Sequence, residues 1–237
     1  MLSSFGKLVA TCLCFSLLGC QSTQSPSKTE IFNHSSANIG QLVISEPLAP
    51  NFKKEIALAR ISDFLVSSEA TKAQKAKAFY DRGLLYDSFG LPSLARLDFT
   101  RALRIDPTMA NAYNFLGIHY TLLGQFEQAY ESFDATIELA SEHQYVYLNR
   151  GISLYYGGKN RLALDDLSTF QQLDLSDPYR AIWRYLAAFK LDKSKAIAQL
   201  RLDRKAISAD AWGLQIIDLF LMNISEKTFV NGLTDNI

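Results

Sequence analysis

The 237 residues carry 24 Lys+Arg against 24 Asp+Glu, a formal net charge of zero with no basic run of five or more, which argues against a nucleic-acid binder. All three cysteines, Cys12, Cys14 and Cys20, fall in the first twenty residues. The body of the chain therefore has neither a disulfide framework nor a thiol metal site.

Residues 1–19 read as an address and not as part of the fold. Lys7 is the only charge there, and the apolar run Leu8–Leu18 is too short to span a bilayer. It ends in Leu17-Leu18-Gly19-Cys20, which resembles the bacterial lipobox. The resemblance implies cleavage before Cys20, a diacylglycerol on its sulfur and an N-acyl lipid on the new amino terminus. No other cofactor and no metal is expected. Gln21 and Ser22 follow the cysteine, with no aspartate to resemble an inner-membrane retention signal. The expected place is the outer membrane, facing the periplasm.

Residues 20–50 form the anchor and tether. The stretch 21–41 is rich in Ser, Thr, Gln and Asn, a composition that buries too little apolar surface to order itself. An N-terminal helical region follows over 51–75. Leu58, Ile61, Phe64 and Leu65 keep helical spacing and predict one amphipathic helix over about 51–67.

From 76 to 177 the chain repeats itself. Gly83, Gly117 and Gly151 stand 34 residues apart, as do Gly90, Gly124 and Gly158, and Ala95, Ala129 and Ala163. Aromatic positions keep the same phase, at Phe79, Tyr86 and Phe99, then at Tyr113, Tyr120 and Phe133. In the third unit the last small position has become Phe170. This pattern resembles the tetratricopeptide helix–turn–helix repeat. Gly83 and Ala95 fit the facing sides of one helix pair, Gly90 the left-handed residue that ends a first helix, and Pro92 the start of the second. Asp106-Pro107 and Asp177-Pro178 suggest a stop and restart between units.

Residues 178–237 read as a degenerate helical region. Helices are predicted over Pro178–Leu191 and Ala196–Leu202, with Trp183 and Tyr185 as packing residues. A further helix is predicted around Ser208–Leu221, and Ser225 caps a last one reaching about residue 232. The expected fold is all-α: a tetratricopeptide-repeat helical solenoid with flanking capping helices behind a disordered tether.

No catalytic constellation emerges, so the chain reads as a non-enzyme. His34, His119 and His143 lie in three separate contexts, and neither HExxH nor GxSxG occurs. Ser25-Pro26-Ser27-Lys28 matches SxxK only within the tether. The segment from Ser153 to Asn160 approaches a phosphate-binding loop, but the repeat already explains Gly157-Gly158 as a turn between helices.

The binding candidates are first-helix side chains placed by register on the concave surface: Tyr80, Leu84 and Asp87; Asn111, Asn114, Ile118 and Thr121; Tyr145, Leu148, Asn149, Ile152 and Tyr155. Amides suit a client's main chain and aromatic faces suit its side chains. A chaperone-type carboxylate clamp is not expected, because Phe115 and Asp81 occupy the positions equivalent to Asn149.

Beyond the generic repeat, Pro47-Leu48-Ala49-Pro50 before Glu55–Arg60, Tyr80-Asp81-Arg82-Gly83, Leu148-Asn149-Arg150-Gly151, Leu154–Gly158 and Asn223-Ile224-Ser225-Glu226 resemble the NlpI family of gamma-proteobacterial tetratricopeptide lipoproteins. The resemblance covers nearly the whole chain. It implies a homodimeric adaptor that brings murein endopeptidases to a tail-specific periplasmic protease, organises other cell-wall hydrolases and affects division. Family members continue into a further C-terminal repeat, where this sequence ends at Ile237. A second reading of the same features is a pilotin-type or assembly lipoprotein that escorts an outer-membrane secretin or barrel.

Overall fold

The computed structural model describes residues 52–67, 69–208 and 212–234. The leader, Cys20 and the tether over 20–50 lie outside the described residues. Among those described there are eleven α-helices and no strand. A lone helix, α1 (Phe52–Val66), precedes four helix pairs. These are α2 (Lys72–Ser88) with α3 (Pro92–Ile105), α4 (Ala110–Leu122) with α5 (Phe126–Leu139), α6 (Gln144–Tyr156) with α7 (Asn160–Gln172), and α8 (Pro178–Leu191) with α9 (Lys193–Asp203). A 3₁₀ turn (Arg204–Ala206), α10 (Gly213–Phe220) and α11 (Glu226–Thr234) complete the order.

The first three pairs share one turn. Gly90, Gly124 and Gly158 adopt φ of +70°, +69° and +78°. After α2, Leu91 N–H donates to Tyr86 O at 2.9 Å while Gly90 N–H donates to Asp87 O at 2.9 Å. The same two bonds recur at Gln125 to Tyr120 with Gly124 to Thr121, and at Lys159 to Leu154 with Gly158 to Tyr155. This is the Schellman arrangement, which satisfies the last carbonyls of a helix and requires a left-handed residue at its pivot. The predicted role of these glycines holds in all three units.

The fourth pair departs at that point. Asp192 stands one period after Gly158, and its backbone is extended (φ −151°, ψ 102°), so it closes α8 and opens α9 at once. Its carboxylate caps α9 by accepting from Lys195 N–H at 3.0 Å. With the turn shortened, the buried pair Ala196 and Leu200 trails Ala163 and Leu167 by one residue less than a full period. That slip hides the fourth unit from a strict period of 34.

Within each pair the repeat glycine lies under a large side chain of the second helix. A Cβ on Gly83 would come within 2.6 Å of the Phe99 ring, one on Gly117 within 2.6 Å of Phe133, and one on Gly151 within 2.7 Å of Leu167. Ala95, Phe99, Ala129, Phe133, Ala163 and Leu167 are fully buried at these crossings. The glycine thus makes room for a ring or a leucine of the facing helix.

Both ends are anchored by features only partly visible in the sequence. Thr71 and Gln74 form a reciprocal capping box that starts α2, with bonds of 3.2 and 2.9 Å. At the far end, Tyr185, Leu200, Leu214 and Ile217 build a core that joins α8, α9 and α10. The helix expected around 208–221 is shorter than the pattern suggested and begins at Gly213. Ser225 accepts from Thr228 N–H at 3.1 Å, as expected of the cap of α11. The expected restart at Asp177-Pro178 opens α8, with Asp177 Oδ1 accepting from Tyr179 N–H at 2.8 Å, and the turn expected at Asp106 recurs two periods later, at Asp174. Asp106 Oδ1 accepts from Thr108 N–H at 3.0 Å, and Asp174 Oδ1 accepts from Ser176 N–H at 2.9 Å.

Candidate functional site

Side chains tie each of the first helices α2, α4, α6 and α8 to the next, and these ties make them one layer. His119 Nε2 on α4 meets Asp87 Oδ1 on α2 at 2.8 Å, and His143 Nε2 before α6 meets Asn111 Oδ1 on α4 at 3.1 Å. Asn149 Nδ2 on α6 donates to Asn114 Oδ1 on α4 at 3.0 Å. Between α6 and α8 the tie is aromatic, with the Tyr155 and Trp183 rings 6.4 Å apart and edge-on.

These ties sort the predicted binding residues. Asn114 is only 6% exposed. Its oxygen is engaged by Asn149, so this amide pair holds two units together. Asp87 is exposed but bonded to the buried His119. Tyr80 packs on Phe99 and Phe115, with ring centroids 5.8 and 6.4 Å away, and is half-buried. Ile118 and Ile152 are half-buried, and Ile118 lies against the core around Phe133. Asn111 and Tyr145 are exposed, Tyr145 by 59%, and Tyr155 is half-buried against the core around Leu154 and Leu167.

A second polar system pins the layers inside a unit. Arg82 Nε and Nη2 donate to the two oxygens of the buried Asp98 at 2.6 and 3.0 Å. Arg150 does the same to Asp166 at 2.7 and 2.8 Å, and its Nη1 reaches Asp134 on α5 at 2.6 Å. The bidentate bond to Asp166, more than the charge of Asp134, holds the Arg150 guanidinium far above its ordinary range. The middle unit has Leu116 and Ser132 at the equivalent places, both buried. These pairs are structural: each joins a first helix to its own second helix through a desolvated fork.

The end of α6 and the fourth unit add aromatic side chains to this face. Tyr156 is 63% exposed and lies 5.4 Å from Tyr155, edge-on. Trp183 and Tyr179 stand one period after Asn149 and Tyr145, and Tyr179 is 49% exposed. Lys190 Nζ sits 5.9 Å from the centroid of Tyr155. Carrying the register of 34 one step past residue 177 finds Tyr179 and Trp183 in the sequence.

The chemistry of this face is that of contact. Among the described residues no cluster of His, Cys, Asp or Glu could hold a metal ion. Gly158 is the left-handed turn residue, and the Lys159 ammonium lies 4.1 Å over the Tyr130 ring. That segment is an interhelical turn and not a phosphate loop. Among the described residues no helix is long and apolar enough to cross a membrane.

The profile described as "Tetratricopeptide repeat" matches residues 76–109, which are the first repeat unit of the register. Solved structures agree on the fold. PilF of Pseudomonas aeruginosa shares 17% identity, over 76% of this chain and 81% of that one, with a TM-score of 0.58. A tetratricopeptide repeat protein from Parabacteroides merdae shares 18%, over 70% and 63%, with a TM-score of 0.54. MamA from Desulfovibrio magneticus RS-1, from its residue 41 to the end, shares 19%, over 68% and 92%, with a TM-score of 0.53. At such identities the likeness is one of fold. The body has the fold of a tetratricopeptide-repeat solenoid, an array of stacked helix pairs.

Proposed function

We propose that this chain is a lipid-anchored adaptor on the periplasmic side of the outer membrane. Its body gathers peptidoglycan hydrolases, a murein endopeptidase among them, and a tail-specific protease. In doing so it regulates cell-wall degradation and division, as a homodimer. The supporting observation is the row of first helices tied to one another by side chains, with Asn111, Tyr145 and Tyr156 exposed on it and Tyr155 and Trp183 half-buried beside them. Leu17-Leu18-Gly19-Cys20 supports the anchor, and the sequence resemblance supports the class of client.

Two measurements test the reading. Cys20→Ser should release the protein into the soluble fraction, because several acyl chains on one residue give the stable attachment. A Ser variant that still pellets with membranes after a high-salt wash would refute the anchor. A cross-linked pull-down from envelope extracts should recover a protease together with cell-wall hydrolases. Recovery of a secretin or barrel protein instead would replace the adaptor by an escort lipoprotein.

A further inference from the structure

At the end of α6 the first-helix layer carries an aromatic cluster of which Tyr156 is exposed and Tyr155 and Trp183 are half-buried. Tyr155, Tyr156 and Trp183 form one edge-on cluster there. One ammonium group stands beside it, Lys190 Nζ over Tyr155 at 5.9 Å, and a second, Lys193 Nζ, lies 5.5 Å from the ring of Phe189, one period after Tyr155. Both lysines are exposed, and neither has a carboxylate within ion-pair distance among the described residues. The nearest acid in sequence, Asp192, is engaged elsewhere: it caps α9 and pairs with Lys195 at 3.5 Å.

A lysine in the last turn of a helix complements the helix dipole, which accounts for Lys190 as a charge. It does not account for two unpaired ammonium groups, each set over a ring at the border of an apolar cluster. At the other end of the layer the carboxylates already have partners, Asp81 in Lys77 and Asp87 in His119. An unpaired cation beside an apolar cluster selects a partner's charge pattern and its orientation. The interior of the face is unsuited to main-chain hooks, because Asn114 and Asn149 bond each other. Recognition must then come from side chains.

We propose that this end of the face docks a partner segment in which apolar or aromatic side chains are flanked by Asp or Glu. The apolar groups pack on Tyr155, Tyr156 and Trp183, and the carboxylates meet Lys190 and Lys193. The proposal rests on the reading that the first-helix layer is the client surface, and it names the chemistry of the client.

The test titrates the full chain with three short fluorescent peptides and follows anisotropy. One peptide combines Phe and Leu with Glu, one replaces Glu by Lys, and one replaces Phe and Leu by Ser. The first should bind best, and K190E/K193E should weaken it about tenfold or more while strengthening the Lys peptide. The melting temperature should move little, because K190E loses at the end of α8 what K193E gains at the start of α9. Equal binding of the Glu and Lys peptides, no binding of any peptide, or an affinity untouched by the charge reversal overturns the proposal. The same lysine variant and Tyr156→Ser are then tried for capture of the hydrolases and protease. Loss of capture with Tyr156→Ser alone leaves the docking face standing and removes the carboxylate-reading claim. If neither variant affects capture, the docking face itself is wrong.

Discussion

Asn149 Nδ2 donates to Asn114 Oδ1 across the seam between the second and third units, at 3.0 Å. Because Asn114 is almost wholly buried, its oxygen depends on that donor. The bond converts two residues that look like client hooks in the sequence into a joint between repeats.

Asn149→Ala should therefore destabilise the protein by about 1–3 kcal/mol, since it leaves a buried acceptor without a partner. Asn114→Ala should cost less, because the half-buried Asn149 amide can turn to water. The double variant should cost less than the sum of the two, as expected of residues in direct contact. Urea melts of the four proteins measure the coupling. Strict additivity would show that the bond does not form in solution.

Gly117→Ala sets two effects against each other. Removing a glycine from a helix interior gains about 1 kcal/mol in helix propensity. The new methyl would meet three atoms of the Phe133 ring at 2.6–2.8 Å, and that ring is fully buried with no room to retreat. Overpacking of this kind costs about 1–3 kcal/mol, so the clash should win, and Gly117→Leu should be worse. Stability in a repeat array is shared between neighbours, so protection against hydrogen exchange should also fall in α2–α3 and α6–α7. An unchanged melt would mean that the register of the glycines is misassigned.

Most of this fold is legible because each repeat position has one steric task. Gly90 and its equivalents need a left-handed backbone, Gly83 and its equivalents need space beneath a ring, and a strict spacing exposes both sets. The face was harder to read. Register places a side chain on a layer but does not reveal its partner, so Asn114, Asp87 and Tyr80 were legible as facing inward and not as bonded to a neighbouring unit. Arg82 with Asp98 and Arg150 with Asp166 repeat at twice the period, a signal that stands out only once the middle unit's Leu116 and Ser132 are aligned between them. Asp192 in place of a glycine ends the strict phase at the turn after α8, so Trp183 is legible as packing and not as part of the face.

Acid should loosen the C-terminal end first. Asp218 accepts both from Arg204, with Nη2 at 2.9 Å, and from Asn223 Nδ2 at 2.7 Å. The Arg204 bonds, more than Asn223, hold its carboxyl below the ordinary carboxylate range. A group whose pKa is lower in the folded state stabilises fully above its unfolded value, near 4, and loses that contribution as pH falls through the depressed folded value. Asp218→Asn should therefore lower the melting temperature at pH 7 and make stability fall less steeply below about pH 4. Parallel pH profiles of the variant and the parent would contradict the assignment.

Met222 occupies the turn position that glycine holds in the repeats. Its φ is +59°, and the same pair of bonds closes α10, from Met222 N–H to Leu219 O at 3.0 Å and from Asn223 N–H to Asp218 O at 2.8 Å. A left-handed backbone costs an L-residue roughly 1–2 kcal/mol, and the Met222 side chain is 90% exposed, so it recovers little by packing. Met222→Gly removes that strain but gives the unfolded chain more freedom, which offsets about 0.5–1 kcal/mol. The balance favours glycine by a fraction of a kcal/mol. The expected result is a small rise in melting temperature, with slower exchange of the Met222 and Asn223 amides. A fall would show that Met222 makes a contact in solution worth more than its strain, and its open surface position would then be the first place to look for a bound partner.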